Sequence, residues 1–215
     1  MNTSGFYKHS IRHLHITANS LLLGDEAAAF YVVHCSRNIL GLKENPPRAI
    51  FEANVHGIPC VAKCWCPDLA QCSSNECMVY DKLTSIQSAH ANVFAKLIGW
   101  GRIVCSSLFP AGDALLLEKR PGLVLETVWR DLTSVERAHV QSECMKAIGL
   151  LRSISIRLAD AGKRNVLFDR DTGTVTLVDF EHIGFCEFPE DITSLEPEMS
   201  AIFGDEDGWV WWVRA

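Results

Sequence analysis

The stretch that most constrains this chain is NVLFDRDTGTVTLVDFE, Asn165–Glu181, with Asp160 five residues ahead of it. Two short apolar runs flank a polar turn at Asp169–Gly173, which predicts a β-hairpin. Asp169 and Asp171 suit the turn itself, because Asp side chains bond nearby backbone. Asp160, Asn165 and Asp179 are not needed for the hairpin to fold. Pairing across the turn sets the start of the first strand beside the end of the second. Asn165 and Asp179 then become neighbours at one end of the ribbon. A carboxylate and an amide oxygen converging there suit Mg2+, a hard cation that takes oxygen ligands. Asp160, one loop turn away, can accept a proton from an attacking hydroxyl. Each residue alone is equally well explained as a turn former. The trio predicts a phosphoryl-transfer site.

Upstream, RAIFEANVHGIPCVAKCWC reads as two strands joined tightly at His56–Gly57. SSNE at 73–76 has capping-box spacing and predicts the start of a helix, with Val79, Tyr80, Leu83, Ile86 and Gln87 at helical spacing. GRIVCSSLF and ALLLEK predict two more strands around PAGD, and RPGLVLE a linker. TSVERAHVQSECMKAIGLLRSI predicts a second helix, capped by Thr133 and Glu136, with Val140, Cys144, Ile148 and Leu151 as its buried stripe. Residues 1–44 give no clear period; EAAAFYVVHC fits a strand or a short helix. The expected organisation is an extension at 1–44, a β-rich part at 45–119 and a more helical part at 120–215.

With 215 residues, 48% of them hydrophobic, the chain can bury a substantial core. A net charge of −6 argues against a broad nucleic-acid surface. No apolar run reaches the length of a membrane span, so neither a membrane nor a nucleic acid is an expected partner. Nine irregularly spaced cysteines read as reduced thiols and an intracellular, cytoplasmic protein. Cys60, Cys64, Cys66, Cys72 and Cys77 lack the paired knuckles of zinc ribbons and read as small buried hydrophobes.

D-x-x-x-x-N-V-L-F followed by L-V-D-F-E resembles the catalytic loop and metal-binding strand of the protein kinase-like superfamily. The D-F-E ending is closest to small kinase-like proteins abundant in fungi and to the aminoglycoside and choline kinase relatives. The resemblance spans roughly Ala49 to Phe185. It implies an α+β, bilobal kinase-like fold with a β-rich N-lobe and a shortened helical C-lobe. It matches Asp160 to the catalytic aspartate, and Asn165 and Asp179 to the Mg2+ ligands. Lys63, ending PCVAK, matches the lysine on the ATP phosphates, and Glu76 matches the glutamate that holds that lysine. Glu118 to Leu123, with Pro121 and Gly122, would contact adenine through the backbone. Two plainer readings stand beside these. A strand-end lysine is usually a solvated charge, and a capping box already accounts for Glu76.

Several features depart from the pattern. No Gly-rich loop precedes Lys63, Leu158 stands where a histidine is expected, and LLRSISIRLAD leaves little room for a helix end, turn and strand. The tail GWVWW is expected to cover apolar surface where the helical part is short. Two functions follow from the resemblance. One is an ATP- and Mg2+-dependent phosphotransferase acting on a protein Ser/Thr or a small-molecule hydroxyl. The other is an inactive pseudokinase that binds nucleotide or a protein.

Overall fold

The computed structural model describes residues 14–18, 29–40, 48–55, 57–85, 91–105 and 109–204. In chain order the elements are β1 (Leu14–Ala18), β2 (Ala29–Leu40), β3 (Arg48–Val55), β4 (Ile58–Trp65), α1 (Ala70–Ser85), β5 (Leu97–Cys105), β6 (Asp113–Glu118), β7 (Leu123–Val124), α2 (Leu125–Val128), α3 (Ser134–Ser153), β8 (Ile156–Leu158), β9 (Val166–Asp169), β10 (Thr174–Leu177), β11 (Ile183–Phe185), α4 (Pro189–Thr193) and α5 (Glu196–Phe203). Helices and antiparallel sheets make this an α+β chain. It divides into two compact units, Met1–Ser73 with Ile98–Lys119, and Ser74–Leu97 with Arg120–Ala215. No helix among the described residues is long and apolar enough to cross a membrane.

The first unit is a closed barrel in the strand order β1-β2-β3-β4-β6-β5. β1 closes it, with Ile16 opposite Tyr31 of β2 and Ile103 of β5. Two strands from the segment first set apart as an extension are therefore part of this sheet. Their ambiguous period hides this, because only the partner strands decide the conformation of a short apolar run. β3 and β4 form the predicted hairpin. Val55 opposes Ile58, and Gly57 takes φ +83° in the tight turn. β3 alternates strictly, burying Ala49, Phe51, Ala53 and Val55. These meet Cys60, Ala62, Cys64, Ile103, Phe109, Ala114 and Leu116 in one cluster. The mixture of alanines and phenylalanines suits a narrow barrel, whose interior has room for few large side chains. Phe51 and Phe109 pack edge to face at 6.4 Å. Cys60 and Cys64 are buried and in no disulfide, and burial pushes the Cys60 thiol up, away from the thiolate that metals prefer.

The second unit is built around α3. Thr133 and Glu136 cap it as the spacing predicts. Val140, Cys144, Ile148 and Leu151 are buried along its length, and burial pushes the Cys144 thiol up to about 12. At its other end Arg152 makes a buried two-point pair with Glu198 of α5, at 3.0 and 2.6 Å. Arg152 also donates to the carbonyl of Asp191, and Glu198 accepts from the Leu158 amide at 3.3 Å. The joint after α3 holds a helix end, a turn and a strand after all. Ser155, at φ +62°, makes the sharp change of direction that a longer linker would otherwise provide.

β9 and β10 pair across the predicted turn, Asp169 opposite Thr174, and β7 adds to the free edge of β9. Gly122 has φ +108°, and a Cβ there would lie 2.7 Å from the carbonyl carbon of Phe168. Only glycine lets β7 approach that closely. β8 and β11 form a separate two-stranded ladder. Ile86 and Gln87 of the first predicted helix lie outside the described residues, as do the tryptophans of the tail.

Candidate functional site

The two small ladders of the second unit frame one short stretch of paired chain. Leu158 opposes Ile183 in one ladder, and Val166 opposes Leu177 in the other. Between these rungs residues 159–165 run beside residues 178–182. Each end is tied, by Ala159 N–H to the His182 carbonyl at 3.0 Å and by Val178 N–H to the Asn165 carbonyl at 2.9 Å. The predicted neighbourhood of Asn165 with the end of the second hairpin strand follows from this register.

Within the longer side, Lys163–Asn165 form a single 3-10 turn. Asn165 Nδ2 donates to the carbonyl of Asp160 at 2.7 Å. That bond closes the loop and commits the amide nitrogen, so Oδ1 is the end of Asn165 that would serve a cation. The Asp160 carboxylate accepts from Arg164 Nη2, four residues on.

On the shorter side Asp179 adopts φ +70°, a left-handed conformation uncommon outside glycine. Phe180 is fully buried and packs edge-on against Tyr80 at 5.4 Å and Phe94 at 6.0 Å. This aromatic anchor holds the residues on either side of it, Asp179 and Glu181. Asn75 Nδ2 from α1 bonds the Glu181 carbonyl at 2.9 Å. One helical position further on is Glu76, whose side chain completes a cluster. Carboxylate oxygens of Glu76, Asp179 and Glu181 all lie within 4.8 Å of one another. Glu76 is 0% exposed and Glu181 3%. Like charges at that spacing repel by roughly 3–4 kcal/mol per pair at an effective dielectric of about 20. A divalent cation offsets such repulsion, and three carboxylates are the hard oxygen donors that Mg2+ or Mn2+ takes.

The position of Glu76 corrects the capping-box reading of Ser73. The polypeptide enters α1 through a 3-10 turn at Pro67–Leu69, where Leu69 N–H bonds the Cys66 carbonyl at 3.0 Å. Pro67 suits the first helical position, where no N–H is required. The helix is therefore under way before Ser73. Ser73 Oγ instead donates to the Ala70 carbonyl at 3.0 Å and to Asp113 Oδ2 at 2.9 Å. Glu76 lies well inside the helix and is no reciprocal cap.

The remaining predicted residues fall in both units. Lys63 is on β4 of the barrel, opposite Ile50 and Leu115, 5% exposed, with Nζ 5.4 Å from the centre of the Trp65 ring. It is thus a buried lysine, not the solvated strand end that is the commoner case. Glu118 ends β6 opposite Cys60. Pro121 and Gly122 lead into β7, where Arg120 ties the segment down through the Asn92 carbonyl at 2.6 Å and Thr176 Oγ1 at 3.4 Å. The second unit brings Glu76 together with Asp179, and Asp160 with Asn165. Glu181 joins the cluster without having been singled out as a ligand. Its only signal was an acidic side chain two residues after Asp179; the left-handed Asp179 and the bend at Glu181, not strand alternation, set the two carboxylates together. Arg164, the partner of Asp160, carried no such signal.

Compared with protein-family models and with curated protein sequences, the chain matches none.

Proposed function

We propose that the chain is an ATP- and Mg2+-dependent phosphotransferase of the protein kinase-like type, with the bilobal arrangement that class implies. The observation that carries this reading is the carboxylate trio in which Glu76 of α1 meets Asp179 and Glu181 of the strap that runs beside the Asp160–Asn165 loop. Asp179 and Glu181, with Asn165 Oδ1, would hold the cation, and Glu76 lies within reach of the same oxygens. The bound cation would neutralise charge on the phosphates of ATP. Lys63 of the barrel is assigned to those phosphates, and the backbone of Glu118–Gly122 to adenine.

Asp160 takes the proton of the acceptor hydroxyl. The hydroxyl oxygen forms its new bond to the γ-phosphorus as the bond from that phosphorus to the bridging oxygen breaks, and ADP leaves with the bond's electrons. The acceptor is a Ser/Thr hydroxyl of a protein or a small alcohol. Replacing Asp179 with Ala should remove Mg·ATP-dependent phosphoryl transfer while the thermal unfolding transition remains cooperative. Full activity in that variant would refute the assignment.

A second reading, a nucleotide-binding pseudokinase, is favoured by one specific contact. Arg164 engages the Asp160 carboxylate that would have to accept the proton. Thermal-shift titrations with ATP separate the readings from a chain that binds no nucleotide. Stabilisation that requires Mg2+, without turnover, supports the pseudokinase; no shift at millimolar ATP counts against both.

A further inference from the structure

Three large apolar side chains stand open within eight residues of the second unit: Phe185 is 52% exposed, Phe188 58% and Ile192 42%. Phe185 ends β11, Phe188 immediately precedes the short α4, and Ile192 lies within it. A loose backbone does not account for this exposure, because the segment is tied from several sides. Cys186 N–H bonds the Ser155 carbonyl at 3.1 Å. The Asp191 carboxylate accepts from the amides of Glu187 and Phe188, both at 3.1 Å. The buried Arg152 donates to the Asp191 carbonyl. A braced backbone that presents apolar side chains to water gains nothing for the fold, and such patches mark binding surfaces.

The charge around the patch points to its partner. From Ile183 to Val213 the sequence has eight acidic residues and no lysine or arginine. Asp191 is used on the two amides, and Glu198 on Arg152. Glu187 and Glu196 are exposed, and among the described residues neither has an ion pair. Two cations approach from neighbouring elements without meeting these carboxylates. Lys82 of α1 donates to the Ile154 carbonyl at 3.2 Å, with Nζ 5.9 Å from the centre of the Phe185 ring. Arg157 of β8 lies along Gly184, where a Cβ would sit 3.3 Å from its Nε. A second copy of this chain would bring like charges together, and the chain's own tail begins Asp205-Glu206-Asp207. Both match the patch less well than a cationic partner does.

We propose that Phe185–Glu196 is a docking surface for a protein partner that presents a short segment of apolar residues interleaved with lysine or arginine. The partner's apolar side chains cover Phe185, Phe188 and Ile192, and its cations meet Glu187 and Glu196 at the rim. The surface does not depend on the phosphotransferase reading.

The test uses the full chain without nucleotide or divalent cation, so failure of the cation site cannot affect it. Fluorescence anisotropy follows three labelled peptides: alternating Lys-Leu, alternating Lys-Ser and alternating Glu-Leu. The proteins are wild type, Phe188→Ser, Glu187→Lys and Val135→Ser, the last a control at an exposed apolar residue of α3. The Lys-Leu peptide should bind wild type and Val135→Ser alike, and Phe188→Ser and Glu187→Lys should each weaken it about tenfold or more. The Lys-Ser and Glu-Leu peptides should bind wild type far more weakly. No binding of the Lys-Leu peptide at about 1 mM, in the range of the weakest specific contacts, would overturn the proposal. So would equal affinity in all four proteins, or equal binding of either other peptide. Sedimentation and thermal unfolding test the other occupants. A wild-type dimer that Phe188→Ser dissociates would make the patch a self-association surface and overturn the proposal. A Tm for Phe188→Ser well below that of Val135→Ser would show that the chain itself covers Phe188, and would overturn it too.

Discussion

Ser73-x-x-Glu76 and Thr133-x-x-Glu136 have the same spacing and opposite outcomes. At α3 the motif is a reciprocal cap: Thr133 N–H donates to Glu136 Oε2 at 2.7 Å and Glu136 N–H to Thr133 Oγ1 at 3.2 Å. Glu136 also pairs with Arg170 at 2.5 Å, and these donors hold its carboxyl down to about 2. At α1 a proline-led turn starts the helix early, and the glutamate is carried inside to meet two other carboxylates. Capping is decided by where the helix begins, which the four-residue motif does not contain. A glutamate wrapped by donors is a stabilising anion; in the proposed function, a glutamate grouped with two other carboxylates serves a cation.

A third glutamate separates burial from crowding. Glu198 is as buried as Glu76, yet Arg152 meets both of its oxygens. Glu198→Ala should cost about 3–5 kcal/mol, because Arg152 is left charged and buried. Denaturant unfolding checks it, and a loss under about 1 kcal/mol would mean the pair contributes little. Glu76→Gln should act on the ligand instead. Even outer-shell changes weaken metal sites by about 10–100-fold, so loss of a carboxylate should reduce cation affinity at least that much. The matched Glu136→Gln should leave cation affinity unchanged, and equal effects of the two substitutions would erase the contrast. Thr133→Ala should cost about 1 kcal/mol, the usual value of an N-cap, with no effect on cation binding.

The smallest effect is in pH. The Glu136 carboxyl titrates lower in the folded chain than in the unfolded one. Its contribution to stability is therefore complete above about 4.5 and is lost as pH falls towards about 2. The stability gap between wild type and Glu136→Gln should close over that window. A gap independent of pH would show that the cap works through geometry alone.

What could be read in the sequence was what local chemistry determines. The β9–β10 hairpin has its turn residues between two apolar runs, and α3 has both a cap and an apolar stripe. What could not be read depends on partners distant in the chain. β1 and β2 become barrel strands only through each other, β3 and β5. The β8–β11 ladder joins residues some 25 apart and turns Ala159–Asn165 and Val178–His182 into one strap-and-loop pair. Glu181 needed the left-handed turn at Asp179, which no local residue pattern marks. Glu76 needed the start of its helix, set by Pro67 and not by Ser73.

The grouped carboxylates of Glu76, Asp179 and Glu181 are the proposed cation site. Isothermal titration of the nucleotide-free chain with Mn2+, with Mg2+ as competitor, tests it directly. The expected result is one site per chain that Mg2+ displaces, that Asp179→Ala removes and that Glu136→Gln retains. No binding at millimolar Mn2+, or binding that Asp179→Ala leaves intact, would contradict it.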